Sequence, residues 1–148
     1  WKTVMQEIEI GKGRKLKDGK DIAILSFGHP GNFAASAIRD VKAEGINPAH
    51  YDMRFVKPLD KEMLHEVFSK FNKVITIEDG TVVGGFGSAV LEFMNEHSYK
   101  ADVKIMGIPD RLVEHGTPKQ LYDEIGIDAN NIANVLRTMA QVKVSVSD

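Results

Sequence analysis

The stretch Ile77–Val90, IEDGTVVGGFGSAV, holds the residue types and spacing that come nearest to chemistry in this chain. An acidic pair, Glu78 and Asp79, ends an apolar run. Gly84, Gly85 and Gly87 then open an amphipathic segment. Glycines between a strand and a helix serve one of two ends. They let backbone N–H groups reach a phosphate, or they let two pieces of backbone approach with no Cβ between them. A P-loop needs a lysine and a hydroxyl residue after its last glycine. Neither Gly80 nor Gly84 has a lysine behind it in that spacing. A dinucleotide fingerprint needs three glycines, and here Gly85 and Gly87 supply two while Val90 stands third. Glu78 and Asp79 would also oppose a phosphate at this turn. Close packing, against a strand or against another domain, is therefore the favoured reading.

The other reactive types are scattered. His29 lies in GHPGN, after an apolar run, where Pro30 and Gly31 already account for a tight turn. His115 precedes a helix cap, and His50, His65 and His97 read as surface or element-end residues. No pair of histidines has the HExxH spacing of a metal site. FGSAV is not a nucleophile elbow, which requires G-x-S-x-G. Asp110 and Arg111 read as a local ion pair rather than as catalytic groups.

The elements around these residues follow from periodicity. Asp21–Phe27 is a short apolar run closed by Gly28 and reads as a buried strand. Ala34, Ala37, Ile38 and Val41 then fall at helical spacing, with Gly45 as a C-terminal cap. Tyr51–Val56 reads as a second strand. Asp60 is placed to cap a helix whose stripe is Met63, Leu64, Val67, Phe68 and Phe71. Lys73–Asp79 is a third strand, followed by a helix striped with Phe86, Ala89, Val90, Phe93 and Met94. Phe68, Val90 and Phe93 are expected in the core. Asp102–Ile108 is a fourth strand. Thr117, Pro118 and Gln120 announce another helix through a capping box. A last helix, from about Asp128, carries Ile132, Val135, Leu136 and Met139. Strands alternating with helices at this spacing imply a parallel sheet covered on both faces. Ahead of it, EIEIGKGRKLKDG, with Ile8 and Ile10 alternating, suggests a strand or hairpin at the sheet edge. Residues 1–140 read as one domain. The tail 141–148, QVKVSVSD, reads as an edge strand or, preferably, a disordered end.

Composition bounds the function classes. Of the 148 residues 43% are hydrophobic and 27% charged, which is ordinary for a globular domain. A net charge of −2 gives no footprint for nucleic acid or for an anionic membrane. There is no cysteine, so disulfide and thiolate chemistry are excluded. No apolar run approaches membrane-spanning length, and no signal peptide is visible. The chain opens on Trp1, as expected of a piece of something longer.

Three separated segments, MRFVKPLD (53–60), VITIEDGTVVGGFGSAV (74–90) and IMGIPDRLVEHGT (105–117), occur in an order and spacing that resembles one family. IEIGKGRKLKDGKDIAILSFG near the start and GIDANNIANVL near the end are also similar. Over roughly residues 7–138 the chain resembles the C-terminal domain of the 1-deoxy-D-xylulose-5-phosphate synthases, thiamine-diphosphate enzymes of the transketolase superfamily. HPGN at 29–32 departs from the family pattern. Transketolases and 2-oxoacid dehydrogenase beta subunits share parts of these motifs, and RFVKPLD and GIPDRLVEHG favour the synthase. A free-standing α/β binding module is the reading from a different class.

The resemblance implies a three-layer α/β/α fold. Its five-stranded mixed sheet has the order 1-3-2-4-5, with the first strand antiparallel. The second and fourth strands are then neighbours whose connections leave in opposite directions, which makes a crevice at their ends. Gly28, His29, Glu78, Asp79, Gly84, Gly85, Gly87 and Asp110 are the candidate residues of this crevice or of a domain-packing joint. The resemblance further implies that the whole enzyme condenses pyruvate with glyceraldehyde 3-phosphate, with loss of carbon dioxide. That transferase reaction, with thiamine diphosphate and magnesium, serves isoprenoid-precursor and thiamine synthesis. The superfamily's diphosphate motif begins Gly-Asp-Gly, and this chain has none. No catalytic, cofactor-binding or metal-binding residue is therefore assigned here. The expected partners are the preceding thiamine-binding domains and a second copy in a homodimer, with no nucleic acid and no membrane. The expected setting is the cytoplasm, or the plastid for a plant protein.

Overall fold

The computed structural model describes residues 7–112 and 116–141. Five strands run β1 Arg14–Lys17, β2 Ala23–Phe27, β3 Ala49–Asp52, β4 Lys73–Thr81 and β5 Asp102–Ile108. Five α-helices run α1 Gly31–Val41, α2 Lys61–Lys70, α3 Phe86–Glu96, α4 Pro118–Ile125 and α5 Ala129–Gln141. The sheet has the order β1-β3-β2-β4-β5. β1 is antiparallel to β3 and every other pairing is parallel, as the resemblance implies.

The core divides by the period of two along the strands. Ile22, Ile24, Ile75, Ile77 and Met106 face α1 and α5, where Ala34, Ile38, Val41, Ile132 and Leu136 meet them. Ala23, Leu25, Tyr51 and Val74 face α2 and α3, against Leu64, Val67, Phe68, Phe86, Val90 and Phe93. Phe68, Val90 and Phe93 are 8%, 0% and 3% exposed, as expected from their stripes. Because both faces are covered, β2 and most of β4 read as continuous apolar runs. β2 and β4 pair in parallel, yet α1 leaves to one face and α3 to the other. Their C-terminal ends therefore flank a switch point.

Several boundaries differ from the sequence reading. The second expected strand, Tyr51–Val56, is shifted: β3 starts at Ala49, which pairs with Ala23, and it ends at Asp52. Arg54, at φ +57°, turns the chain out of extended geometry. The edge strand is RKLK, while Ile8 and Ile10 lie before it and are 53% and 74% exposed. Charged side chains suit an edge strand, where an apolar row would invite pairing with another chain. Here Arg14 bonds Asp52 at 3.0 Å and Lys15 meets Glu66 at 2.7 Å. β4 continues past Asp79 through Gly80 to Thr81.

The expected caps of α2 and α4 hold as read, whereas α1 ends at Val41 and Gly45, at φ +79°, caps a short 3-10 turn Lys42–Glu44 that follows it. Asp60 accepts from Met63 N–H, and its second oxygen accepts from Gly13 N–H at 2.9 Å, so one carboxylate ties the entering chain to the start of α2. Thr117 and Gln120 form the capping box. Asp128 accepts from the N–H groups of Asn130 and Asn131 at the head of α5. Near the other end of α5, the buried Lys73 ammonium donates to Met139 O at 2.6 Å, a cation placed against the helix's negative pole. The tail read as disordered lies outside the described residues apart from Gln141.

Candidate functional site

The glycine turn is built around an internal anion. Glu78, near the C-terminal end of β4, is 2% exposed. Its Oε2 accepts from Phe86 N–H at 2.8 Å and its Oε1 from Gly87 N–H at 2.9 Å. These are orphan donors at the first turn of α3, where Gly85 is the N-cap and offers no side chain. A strand carboxylate thus does the work of a capping side chain, aided by the positive end of the helix. Two of the N–H donors that a phosphate would use are already taken.

Space explains two of the three glycines, and backbone conformation the third. A Cβ on Gly85 would overlap the Thr81 carbonyl oxygen and the Glu78 carboxylate. On Gly87 it would lie 2.6 Å from Ile105 Cγ2 and 2.7 Å from Thr76 Oγ1. Both close approaches are made within this domain. Gly84 has open space around it but sits at φ +72°, which side chains rarely adopt. Gly80 and Gly107 complete the cradle: Cβ atoms there would come within 2.9 Å of Glu78 Oε2 and Glu78 Cγ respectively. Gly107 was not singled out from the sequence, although a glycine inside a strand pattern signals a close backbone approach.

The remaining candidates lie at the C-terminal ends of β2, β4 and β5. Gly28, at φ +79°, faces Asp79, whose Oδ1 would be 3.0 Å from a Cβ there. His29 is exposed and packs its ring against Phe33 and Tyr122, with centroids 5.3 and 5.9 Å away. Gly28, His29 and Asp79 therefore meet at the switch point, while Glu78 turns inward beneath α3. Asp110 is exposed beyond β5. The expected Asp110–Arg111 pair is replaced by Arg111 to Glu124 at 3.2 Å, reaching across to α4. His115 lies outside the described residues.

His50, read as a surface or element-end residue, lies near the start of β3 but is not on the surface. It is 2% exposed, and its Nε2 lies 2.9 Å from Ser26 Oγ. Burial holds its pKa down at about 4, against a smaller upward pull from Asp52. The pair comes from the parallel register of β2 and β3, and no local sequence signal announces it. His65 and His97 are half-buried in a ring cluster with Phe93 and Tyr99. Among the described residues, no group of three or more His, Asp or Glu side chains could hold a metal ion.

Comparison with known proteins supplies what geometry alone does not. The family described as "Transketolase, C-terminal domain" matches residues 11–132. A 1-deoxy-D-xylulose-5-phosphate synthase of Cytophaga hutchinsonii is 56% identical over 142 residues, covering 96% of this chain and 22% of that protein. The synthase of Bacteroides thetaiotaomicron is 52% identical over 148 residues, covering 99% of this chain and 23% of that protein. The chain thus spans about a fifth of the length of the curated relatives it matches. Among solved structures, a chain described as "Split gene transketolase, inactive beta4 tetramer" superposes with a TM-score of 0.84 at 33% identity. That match covers 93% of this chain and 45% of the other. A Campylobacter jejuni transketolase, at 15% identity and a TM-score of 0.65, shares the fold over 91% of this chain and 20% of its own.

Proposed function

The chain belongs to the transketolase C-terminal domain family, and from that premise we propose that it is the C-terminal domain of a 1-deoxy-D-xylulose-5-phosphate synthase. The observation that carries the proposal is 56% identity to such a synthase over 96% of the chain. The whole protein then joins pyruvate to glyceraldehyde 3-phosphate with loss of carbon dioxide. Thiamine diphosphate, when bound with magnesium, supplies carbanion chemistry. The residues of this domain do not fit that cofactor's diphosphate. Its sequence has no Gly-Asp-Gly, and the N–H donors at the head of α3 are engaged by Glu78. We therefore assign the cofactor to the preceding domains, and to this domain a packing role without activity of its own. The similar solved chain comes from an inactive beta4 tetramer, which parallels that assignment.

The packing surface is assigned to the end of the sheet that holds Gly28, His29, Asp79, Gly84 and Asp110. Val83 and Leu112, on the segments after β4 and β5, are 62% and 89% exposed, so each offers an apolar side chain to a partner surface. A homodimer and a cytoplasmic setting belong to the proposal on family resemblance alone. The test is an assay of the full-length protein beside a calorimetric titration of this chain with thiamine diphosphate and magnesium. Deoxyxylulose phosphate should form in the first, and the second should be flat. Ketol transfer between sugar phosphates in its place, or micromolar cofactor binding by this chain, overturns the assignment.

A further inference from the structure

A second polar region lies away from the glycine turn, beneath α1 at the β1 edge of the sheet. A pocket of about 310 Å³ opens there between β1, β3 and α1. Lys17, Arg39 and Lys42 line it, with Asn47 and the buried His50, and Leu16, Ala35, Ile38 and Ile46 form its apolar wall. No carboxylate is among its lining residues.

Three cations converging on one cavity repel one another unless an anion joins them. Lys17 is held by neutral acceptors: the carbonyl oxygens of Asp18 and Pro48 at 2.9 and 3.0 Å, and Asn47 Oδ1. Arg39 donates to Ser36 Oγ at 2.8 Å. Among the described residues none of the three cations has a carboxylate within salt-bridge distance. Two of the nearby carboxylates are engaged elsewhere. Glu44 is gripped by Arg137, with distances of 2.7 to 3.1 Å. Asp52 lies 3.0 Å from Arg14 and 3.9 Å from Arg54. Burial and then the nearby Lys42 pull the Lys17 pKa down, against a smaller upward pull from the Asp18 carboxylate. The repulsion between the two lysines is what a bound anion would relieve.

The size and wall of the pocket narrow the ligand. The volume sits at the small end of ligand sites, and a mainly apolar wall suits a short carbon chain better than bare inorganic ion. A phosphate carries three acceptor oxygens and close to two charges, enough to engage several cations at once. We propose that this pocket binds a small organic phosphate, its phosphate accepting from Arg39 and Lys42 while the Lys17 ammonium, its three donors already engaged, adds only its charge, and its carbon part against Leu16, Ile38 and Ile46. The proposal is independent of the synthase assignment, because the pocket is formed by this domain alone.

The test needs a local readout, since the whole protein would hold other phosphates. Lysine acetylation of the full-length protein, read by mass spectrometry, is titrated with n-butyl phosphate and separately with inorganic phosphate. Butyl phosphate should protect Lys42 saturably, and inorganic phosphate should need about tenfold more for the same protection. Arg39→Gln should raise the half-protection concentration about tenfold while leaving the thermal melt unchanged, because Arg39 is exposed. Three outcomes overturn the proposal. The first is no protection of Lys42 by either probe. The second is equal protection in Arg39→Gln and in the parent protein. The third is shielding of Lys42 before any ligand is added, which would mean that another part of the protein fills the pocket.

Discussion

Two regions of this domain gather positive charge, and they end differently. At the head of α3 the charge is a pair of backbone N–H groups, and the chain brings its own anion, Glu78, to them. Beneath α1 the charge is three side chains, and the lining of the pocket holds no carboxylate. A glycine-rich helix start is commonly read as a phosphate site. Here the counter-charge decides. Donors alone do not make a binding site when a neighbouring strand already satisfies them.

The sharpest way to break this comparison is to disturb the cradle. Gly85→Ala places a Cβ into the Thr81 carbonyl and the Glu78 carboxylate, so backbone must move. We expect a loss of about 4 kcal/mol or more in urea unfolding, at the extreme of single substitutions. A change within about 0.5 kcal/mol, the usual surface range, would show that the cradle is not rigid.

Acid should act next, and on the other region. The pKa of His50 falls from 6.5 in the unfolded chain to about 4 in the folded one. The unfolded chain therefore takes up the proton first. The stabilisation is fully present above pH 6.5 and is lost as pH falls from there to about 4. A shift of this size amounts to about 3 kcal/mol. Stability measured against pH for the parent and for His50→Gln should diverge in slope within that window. Parallel curves would assign the acid sensitivity to other groups.

Two smaller effects refine the picture at the glycine turn. Glu78→Gln turns an amide donor toward N–H groups that need acceptors, and should cost about 2 kcal/mol. It should also leave phosphate affinity at the turn unchanged, because the amide still fills the position next to the Phe86 and Gly87 N–H groups; phosphate shifts on Phe86 and Gly87 amides in NMR would contradict this. Gly84→Ala should cost about 1 kcal/mol, since open space surrounds a backbone held at φ +72°. A Gly84→Ala loss as large as that of Gly85→Ala would mean that the two adjacent glycines serve one purpose after all.

The fold was legible because its signals are local. β2, β4 and β5 are short apolar runs, and α2, α3 and α5 carry stripes that their burial confirms. β1 was harder to see, because RKLK looks like a basic loop until a partner strand is known. The site was less legible, because its contacts are long-range. Three glycines announce that backbone must come close, but not that Glu78 lies between. The role of Gly107 depends on the register of β5 against β4. His50 reads as a surface or element-end residue until β3 is placed beside β2, which buries it against Ser26, 24 positions earlier.

The two-pronged grip of Asp60 has a consequence in time as well as in space. Its oxygens hold Gly13 N–H, just ahead of β1, and Met63 N–H, in the first turn of α2. Fraying of the helix start and peeling of the edge strand then share one latch. In hydrogen exchange the two amides should open together, at one free energy, although 50 residues separate them along the chain.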